Sequence, residues 1–200
     1  MIKPSALKPN ATIGIVSPSS WLNEPDLKTA VSVFENKGYK LVLGESVFLK
    51  DNTFAGMPQE RADDINNMFA NPDIDAIICA RGGYGANRVL PLLDYNLIQA
   101  NPKIFMGFSD ITGFLTSITQ KTGLVTFHGP MLSSFKKGVL EFNFDLLEAV
   151  LSETKSITIH PPAELPTRIL KSGKAEGPLW GGNMCLLVNR LGTADQLNTN

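Results

Sequence analysis

The sequence is short of the residues that most often announce a chemistry. It holds two cysteines and two histidines in 200 residues, at positions 79, 185, 128 and 160. So few cysteines, with no CxxC pair, exclude a fold built on disulfides. Cys79 sits in the apolar run Ile77-Ile78-Cys79-Ala80, where a buried free thiol is expected. Two histidines without clustered cysteines or carboxylates give no metal site. An excess of charge is missing as well. Lys and Arg number 18 against 19 Asp and Glu, the net charge is -1, and neither sign forms a long run. That excludes the basic stripe of a nucleic-acid binder and gives no reason to expect an acidic membrane surface as partner. No apolar stretch reaches the length of a bilayer span. Met1 to Asn10 carries two lysines and two prolines but no apolar core, so it is not read as a secretory signal, and the cytoplasm is the expected compartment.

What is present is ordinary globular material: 43% hydrophobic and 18% charged residues, enough for a core. Thr12 to Val16 is a β-branched run closed by Ser17-Pro18-Ser19-Ser20, which reads as a strand entering a loop. Asp26 is placed to cap a helix with Leu27, Ala30, Val31 and Phe34 on one face, stopped at Gly38. Tyr39 to Leu43 reads as a second strand. Pro58 opens a helix with Arg61, Ala62, Ile65, Met68 and Phe69 at helical spacing, ended by Asn71-Pro72. Ile74 to Ala80 is nearly all apolar, as a strand covered on both faces should be. It runs into Arg81-Gly82-Gly83-Tyr84-Gly85 and a helix-like stretch through Leu93. Lys103 to Gly107 is a fourth strand, Ile111 to Lys121 a helix, Leu124 to Phe127 a fifth strand, and Phe144 to Leu151 a last helix.

Strands alternating with helices at this spacing predict an α/β fold with a parallel, doubly wound sheet, and five strands suit the flavodoxin-like order 2-1-3-4-5. After Ser152 the composition changes. Residues 1–155 are expected to form the flavodoxin-like domain, 156–166 a proline-rich connector, and 167–200 the beginning of a smaller, β-rich C-terminal domain. Strands are expected at Arg168 to Lys171 and Lys174 to Trp180, and a helix after Gly181-Gly182-Asn183.

Ligands of such sheets bind beyond the carboxyl ends of the strands. The assumed order brings Ser17-Pro18, Arg81 to Gly85, Ser109-Asp110 and His128 together there. Ser109 lies at a tight strand-to-helix junction, the geometry that lifts a nucleophile clear of its sheet, although Ile111 stands where G-x-S-x-G has its second glycine. The plainer reading makes Ser109 or Asp110 a helix N-cap. Gly82, Gly83 and Gly85 allow backbone to approach a ligand, with the Gly83 N–H a candidate oxyanion donor and Arg81 available to a carboxylate. A flexible turn or a phosphate cradle uses the same glycines, but neither G-x-G-x-x-G nor the Walker pattern is met. His128 is a candidate base for Ser109, and a loop-holding role is the plainer alternative. His160, in the connector, has no evident partner.

These residues carry a resemblance. Ile13-Gly14-Ile15-Val16-Ser17-Pro18, Arg81-Gly82-Gly83-Tyr84-Gly85, Gly107-Phe108-Ser109-Asp110-Ile111-Thr112, His128-Gly129-Pro130 and Gly177-Pro178-Leu179-Trp180-Gly181-Gly182-Asn183 resemble, in order, the motifs of the LD-carboxypeptidases. That group of serine peptidases includes the microcin-immunity peptidases. The resemblance implies Ser109 as nucleophile, the backbone N–H groups of Gly83 and Asp110 as oxyanion hole, and Arg81, Gly82, Tyr84, Ser17 and His128 around the substrate. The implied reaction releases a terminal D-alanine from a murein tetrapeptide during cell-wall recycling, without cofactor. The family takes its catalytic glutamate and histidine from the C-terminal domain, and no residue here matches them. His128 matches a different motif. The 200-residue chain is therefore expected to be inactive or nearly so. Leu179, Trp180, Leu186, Leu187 and Leu191, short of cover, are expected to favour a homodimer. Two other classes stay open: a muropeptide-binding module that does not cut, and a flavodoxin-like cofactor binder.

Overall fold

The sheet grows outward from its first strand. β1 (Thr12–Val16) lies between β2 (Lys40–Leu43) and β3 (Ala76–Cys79), and β4 (Ile104–Gly107) and β5 (Phe127–His128) follow on the far side. The resulting order β2-β1-β3-β4-β5 is wholly parallel, as the alternation of elements predicts. The structure is a computed structural model that describes residues 1–138, 141–152, 156–159 and 168–198. His160 and most of the proline-rich connector lie outside the described residues.

Both faces of the sheet are covered, which is why its inner strands are almost wholly apolar. On one face Ile13, Ile15, Ile78 and Met106 pack with Phe34 of α1 (Glu24–Asn36) and with Phe144 and Leu147 of α6 (Glu141–Ser152). The Phe34 ring meets Phe135 at 5.1 Å and Phe144 at 5.4 Å in edge-on contacts. On the other face Ile77, Cys79 and Phe105 pack against Ile65 and Phe69 of α2 (Pro58–Ala70) and Phe114 of α5 (Thr112–Thr122).

Several boundaries differ from the sequence expectation, each for a local reason. Helix α1 is capped by Asn23, whose side chain accepts the Asp26 N–H at 2.9 Å, and Pro25 lies within its first turn. The expected cap Asp26 is thus inside the helix. The helical stretch after Gly85 is cut short: α3 (Ala86–Val89) passes into a 3-10 turn at Leu90–Leu92 around Pro91, and α4 (Tyr95–Ala100) restarts on an Asp94 cap. β5 is two residues long because the amino-terminal segment takes the pairing before it. Ile2 donates to Gly123 O and accepts from the Val125 N–H. No strand forms within 168–180. Ile169 and Leu170 there are largely exposed, and no neighbouring strand among the described residues takes their backbone groups. The helix expected after Gly181-Gly182-Asn183 is α7 (Met184–Asn189), capped by the Asn183 side chain.

Candidate active site

β4 delivers the chain to a constricted turn. A Cβ on Gly107 would stand 2.7 Å from Ile111 Cγ2, so only glycine lets the backbone fold back this closely. Ser109 then takes φ = +62°, one of three non-glycine residues with positive φ among those described. Such a conformation costs on the order of 1–3 kcal/mol and persists where surrounding structure enforces it. A 3-10 turn at Ser109–Ile111 continues into α5, and neither Ser109 nor Asp110 caps that helix. The N-cap alternative therefore does not describe these side chains. Ser109 is half-buried, and its hydroxyl has no hydrogen-bond partner among the described residues.

The glycine loop closes over this turn. A Cβ on Gly82 would lie 3.1 Å from Ser109 Cβ, and the Gly82 carbonyl accepts the Ser20 N–H at 3.3 Å. Gly83 and Gly85 have φ of +133° and +114°. Tyr84 between them is exposed, its ring 6.3 Å from that of Phe54. Arg81 is exposed and donates to Trp21 O at 3.1 Å. His128 ends β5 in register with Gly107; its ring is exposed and packs 6.3 Å from Phe108. It lines a cavity of about 470 Å³ with Thr116, Thr119 and Trp180. The strand ends thus bring Arg81 to Gly85, Ser109, Asp110 and His128 to one edge of the sheet. Ser17 belongs to the same edge but is fully buried, its N–H donating to Ser46 Oγ and its own hydroxyl unpartnered. It has no exposed surface for a ligand to touch.

Some of the site's supports escape the motif reading. Asp110 is buried, and its Oδ2 accepts from Ser19 Oγ at 2.6 Å and from the Ala86 N–H at 3.0 Å. Arg61 is buried in α2 and donates from Nη1 to Pro18 O at 2.9 Å, while Nε and Nη2 find no partner. Burial draws the Arg61 pKa down, neighbouring Arg88 adds to this, and Asp110 and Asp51 oppose it. Its signal in the sequence is a charge on an otherwise apolar helix stripe. From the far end of the chain, the Asn183 N–H donates to Thr112 Oγ1 at 2.9 Å, and a Cβ on Gly182 would lie 2.4 Å from Thr112 Cγ2. Buried Arg190 donates to Gly113 O and Thr116 Oγ1, reaches Ser117 Oγ, and stands 3.4 Å from Asp195. The 183–198 segment is therefore fastened to the helix that begins three residues after Ser109.

A parallel α/β sheet with a strained serine on the turn from its fourth strand shares the strand-to-helix geometry of a nucleophile elbow. The chain belongs to the LD-carboxypeptidase family: the model of the LD-carboxypeptidase N-terminal domain matches residues 13–129. It is similar to a probable murein peptide carboxypeptidase of Bacillus subtilis (strain 168), 38% identical over 98% of this chain and 62% of that protein. It is also similar to the microcin C7 self-immunity protein MccF of Escherichia coli, 34% identical over 82% of this chain and 55% of that protein. The crystal structure of an MccF-like protein from Bacillus anthracis str. Ames superposes with a TM-score of 0.90 at 30% identity, covering 99% of this chain and 67% of that one. The chain thus spans less than two thirds of the length of these curated relatives. Among the described residues no helix is long and apolar enough to cross a membrane.

Proposed function

We propose that this chain carries the nucleophile and oxyanion donors of a serine carboxypeptidase acting on murein peptides. Ser109 Oγ attacks the carbonyl that joins the penultimate residue to a terminal D-alanine. The oxyanion is received by the N–H groups of Gly83 and Asp110, D-alanine leaves, and water releases the acyl group from Ser109. The observation that carries this reading is the positive φ of Ser109 against Gly82, a strained serine under a glycine loop. Arg81, Gly82, Tyr84 and His128 are assigned to the substrate, with Arg81 placed to take its terminal carboxylate. Ser17 is assigned a supporting role beneath the loop. The base is assigned to the histidine and glutamate that the family draws from its C-terminal domain, and His128 is left out of the proton transfer. The protein is proposed to work on recycled wall peptides in the cytoplasm and to pair through the apolar surface of α7 and the segment before it.

The test is D-alanine release from a murein tetrapeptide by this chain and by a form extended past Asn200, each with Ser109→Ala beside it. Release by the extended form alone, lost in Ser109→Ala, is the expected result. Release by the 200-residue chain would put a base within it, His128 first. Release that survives Ser109→Ala would remove the nucleophile assignment. The similarity to MccF supports a second reading, in which the amide cleaved belongs to a microcin-type substrate. Comparing the two substrates in the same assay separates them.

A further inference from the structure

Two loop dipeptides meet behind the serine turn, and the same two side chains touch both. At the first, Arg61 Nη1 donates to Pro18 O at 2.9 Å while Asp110 Oδ2 accepts from Ser19 Oγ at 2.6 Å. At the second, Asp110 Oδ2 accepts the Ala86 N–H at 3.0 Å, and Arg61 Nη1 lies 3.1 Å from where a Cβ on Gly85 would stand. Both side chains are almost wholly buried. The Arg61 guanidinium also lies 5.2 Å from the centre of the Phe54 ring, which the Arg88 guanidinium approaches at 5.3 Å. The chain segments tied together are the end of β1, the glycine loop after β3 and the Ser109–Asp110 turn after β4.

This arrangement has an electrostatic consequence. The Asp110 carboxylate is buried one residue from the nucleophile, where its charge opposes any oxyanion forming before the Gly83 and Asp110 N–H groups. In surroundings of low dielectric that opposition is strong unless a cation stands beside the carboxylate. Arg61 is a buried cation close by: its Nη1 donates to Pro18 O, next to the Ser19 that Asp110 holds, and lies against Gly85, next to the Ala86 that Asp110 holds.

We infer that Arg61 is a positioning residue of this site, offsetting the Asp110 charge and holding the Gly83–Gly85 loop so that its donors face the oxyanion. The inference rests on Ser109 as nucleophile. The hydrogen-bond pattern separates charge from geometry, because Ser19 and Ala86 both bond to the single oxygen Oδ2. Asp110→Asn with its carbonyl oxygen in that place keeps both bonds and removes only the charge.

The experiment is the rate of phosphonylation of Ser109 by a fluorophosphonate reagent on the full chain. Serine oxygen bonds to phosphorus, fluoride leaves with the bonding pair, and the serine proton passes to water. The phosphoryl oxygen then occupies the oxyanion position. Arg61→Met should slow labelling about 100-fold, the scale of a misplaced reacting group. Arg61→Met with Asp110→Asn should recover most of that loss, and Asp110→Asn alone, which keeps the backbone N–H and removes the opposing charge, should label faster than wild type. A double variant no faster than Arg61→Met, or Asp110→Asn no faster than wild type, overturns the charge offset. Should Arg61→Met fail to fold, Asp110→Asn and Arg61→Lys decide: the lysine variant keeps the charge and should stay within about tenfold of wild type. A folded form extended past Asn200 that takes no label refutes Ser109 as nucleophile; an unlabelled 200-residue chain does not, since the proposed base lies outside it. In that case the brace is read from amide hydrogen exchange at Gly83 and Gly85, expected to quicken about tenfold in whichever Arg61 variant folds. Unchanged exchange there overturns the role of Arg61.

Discussion

Replacing Gly83 by alanine puts the geometry of the glycine loop to a stringent trial. Gly83 has φ = +133°, a backbone state that residues with a Cβ rarely adopt. The new methyl would stand 2.1 Å from Ser20 Oγ and 2.6 Å from Ser20 Cβ. Turning the serine side chain moves its oxygen but leaves Cβ in place, so the backbone must yield. Backbone strain of about 1–3 kcal/mol and overpacking of about 1–3 kcal/mol together predict a loss of about 2–6 kcal/mol. For a chain of this size each kcal/mol lowers Tm by about 2–4 °C. Ser20→Gly removes the colliding atoms and leaves the strain; the Ser20 hydroxyl makes no hydrogen bond among the described residues. The double variant should therefore regain about 1–3 kcal/mol over Gly83→Ala. Thermal unfolding of the three variants checks this. A Gly83→Ala protein as stable as wild type, or a double variant no better than the single, would refute the close approach of the two loops.

Two further outcomes follow from the C-terminal segment. Burial raises the Asp195 pKa, but Lys121 at 2.8 Å, the Ser117 hydroxyl and Arg190 outweigh it and hold the carboxyl below the ordinary aspartate range. A pKa lower in the folded than in the unfolded state stabilises above the unfolded value, about 3.9, and that stability is lost as pH falls through the folded value. Wild type should therefore exceed Asp195→Asn in stability at pH 7 and approach it near pH 2. A gap of equal size at both ends, read from denaturant unfolding, would remove the ion-pair account. Leu179, Met184, Val188 and Leu191 are each more than half exposed, and burying such a surface favours self-association. Sedimentation of the chain at rising concentration should show a dimer that Val188→Lys with Leu191→Lys weakens; a monomer throughout would exclude pairing through α7.

The fold was legible wherever periodicity and punctuation agreed. Thr12 to Val16, with proline two places on, is a strand to the residue, and Pro58 opens its helix where expected. The parallel sheet followed from the alternation of elements; the strand order, only assumed from the sequence, is the one the structure has. What escaped depended on partners distant in sequence. β5 is short because Ile2, more than 120 residues earlier, takes the backbone of Gly123 and Val125. The apolar runs within 168–180 are β-like in composition, but a strand exists only beside another. At the site, the glycines and Ser109 were visible as motif residues. The positive φ of Ser109 and the burial of Ser17 were not, because both are imposed by packing from elsewhere. Arg61 was visible only as an oddity on an apolar stripe; its partners on two other loops make sense of it.

The bond from the Asn183 N–H to Thr112 Oγ1 spans 71 residues, and this sets an order of events on the ribosome. All five strands have been made by residue 128, so the sheet and its serine turn can collapse while the rest is still being synthesised. The start of the helix behind Ser109 then waits, with the Thr112 hydroxyl lacking its Asn183 donor, until Gly182, Asn183 and Arg190 emerge. A nascent chain stalled before that point should carry a folded sheet with a loosened serine turn. Maturation of the serine turn would therefore come well after Ser109 itself is made, and after the fifth strand.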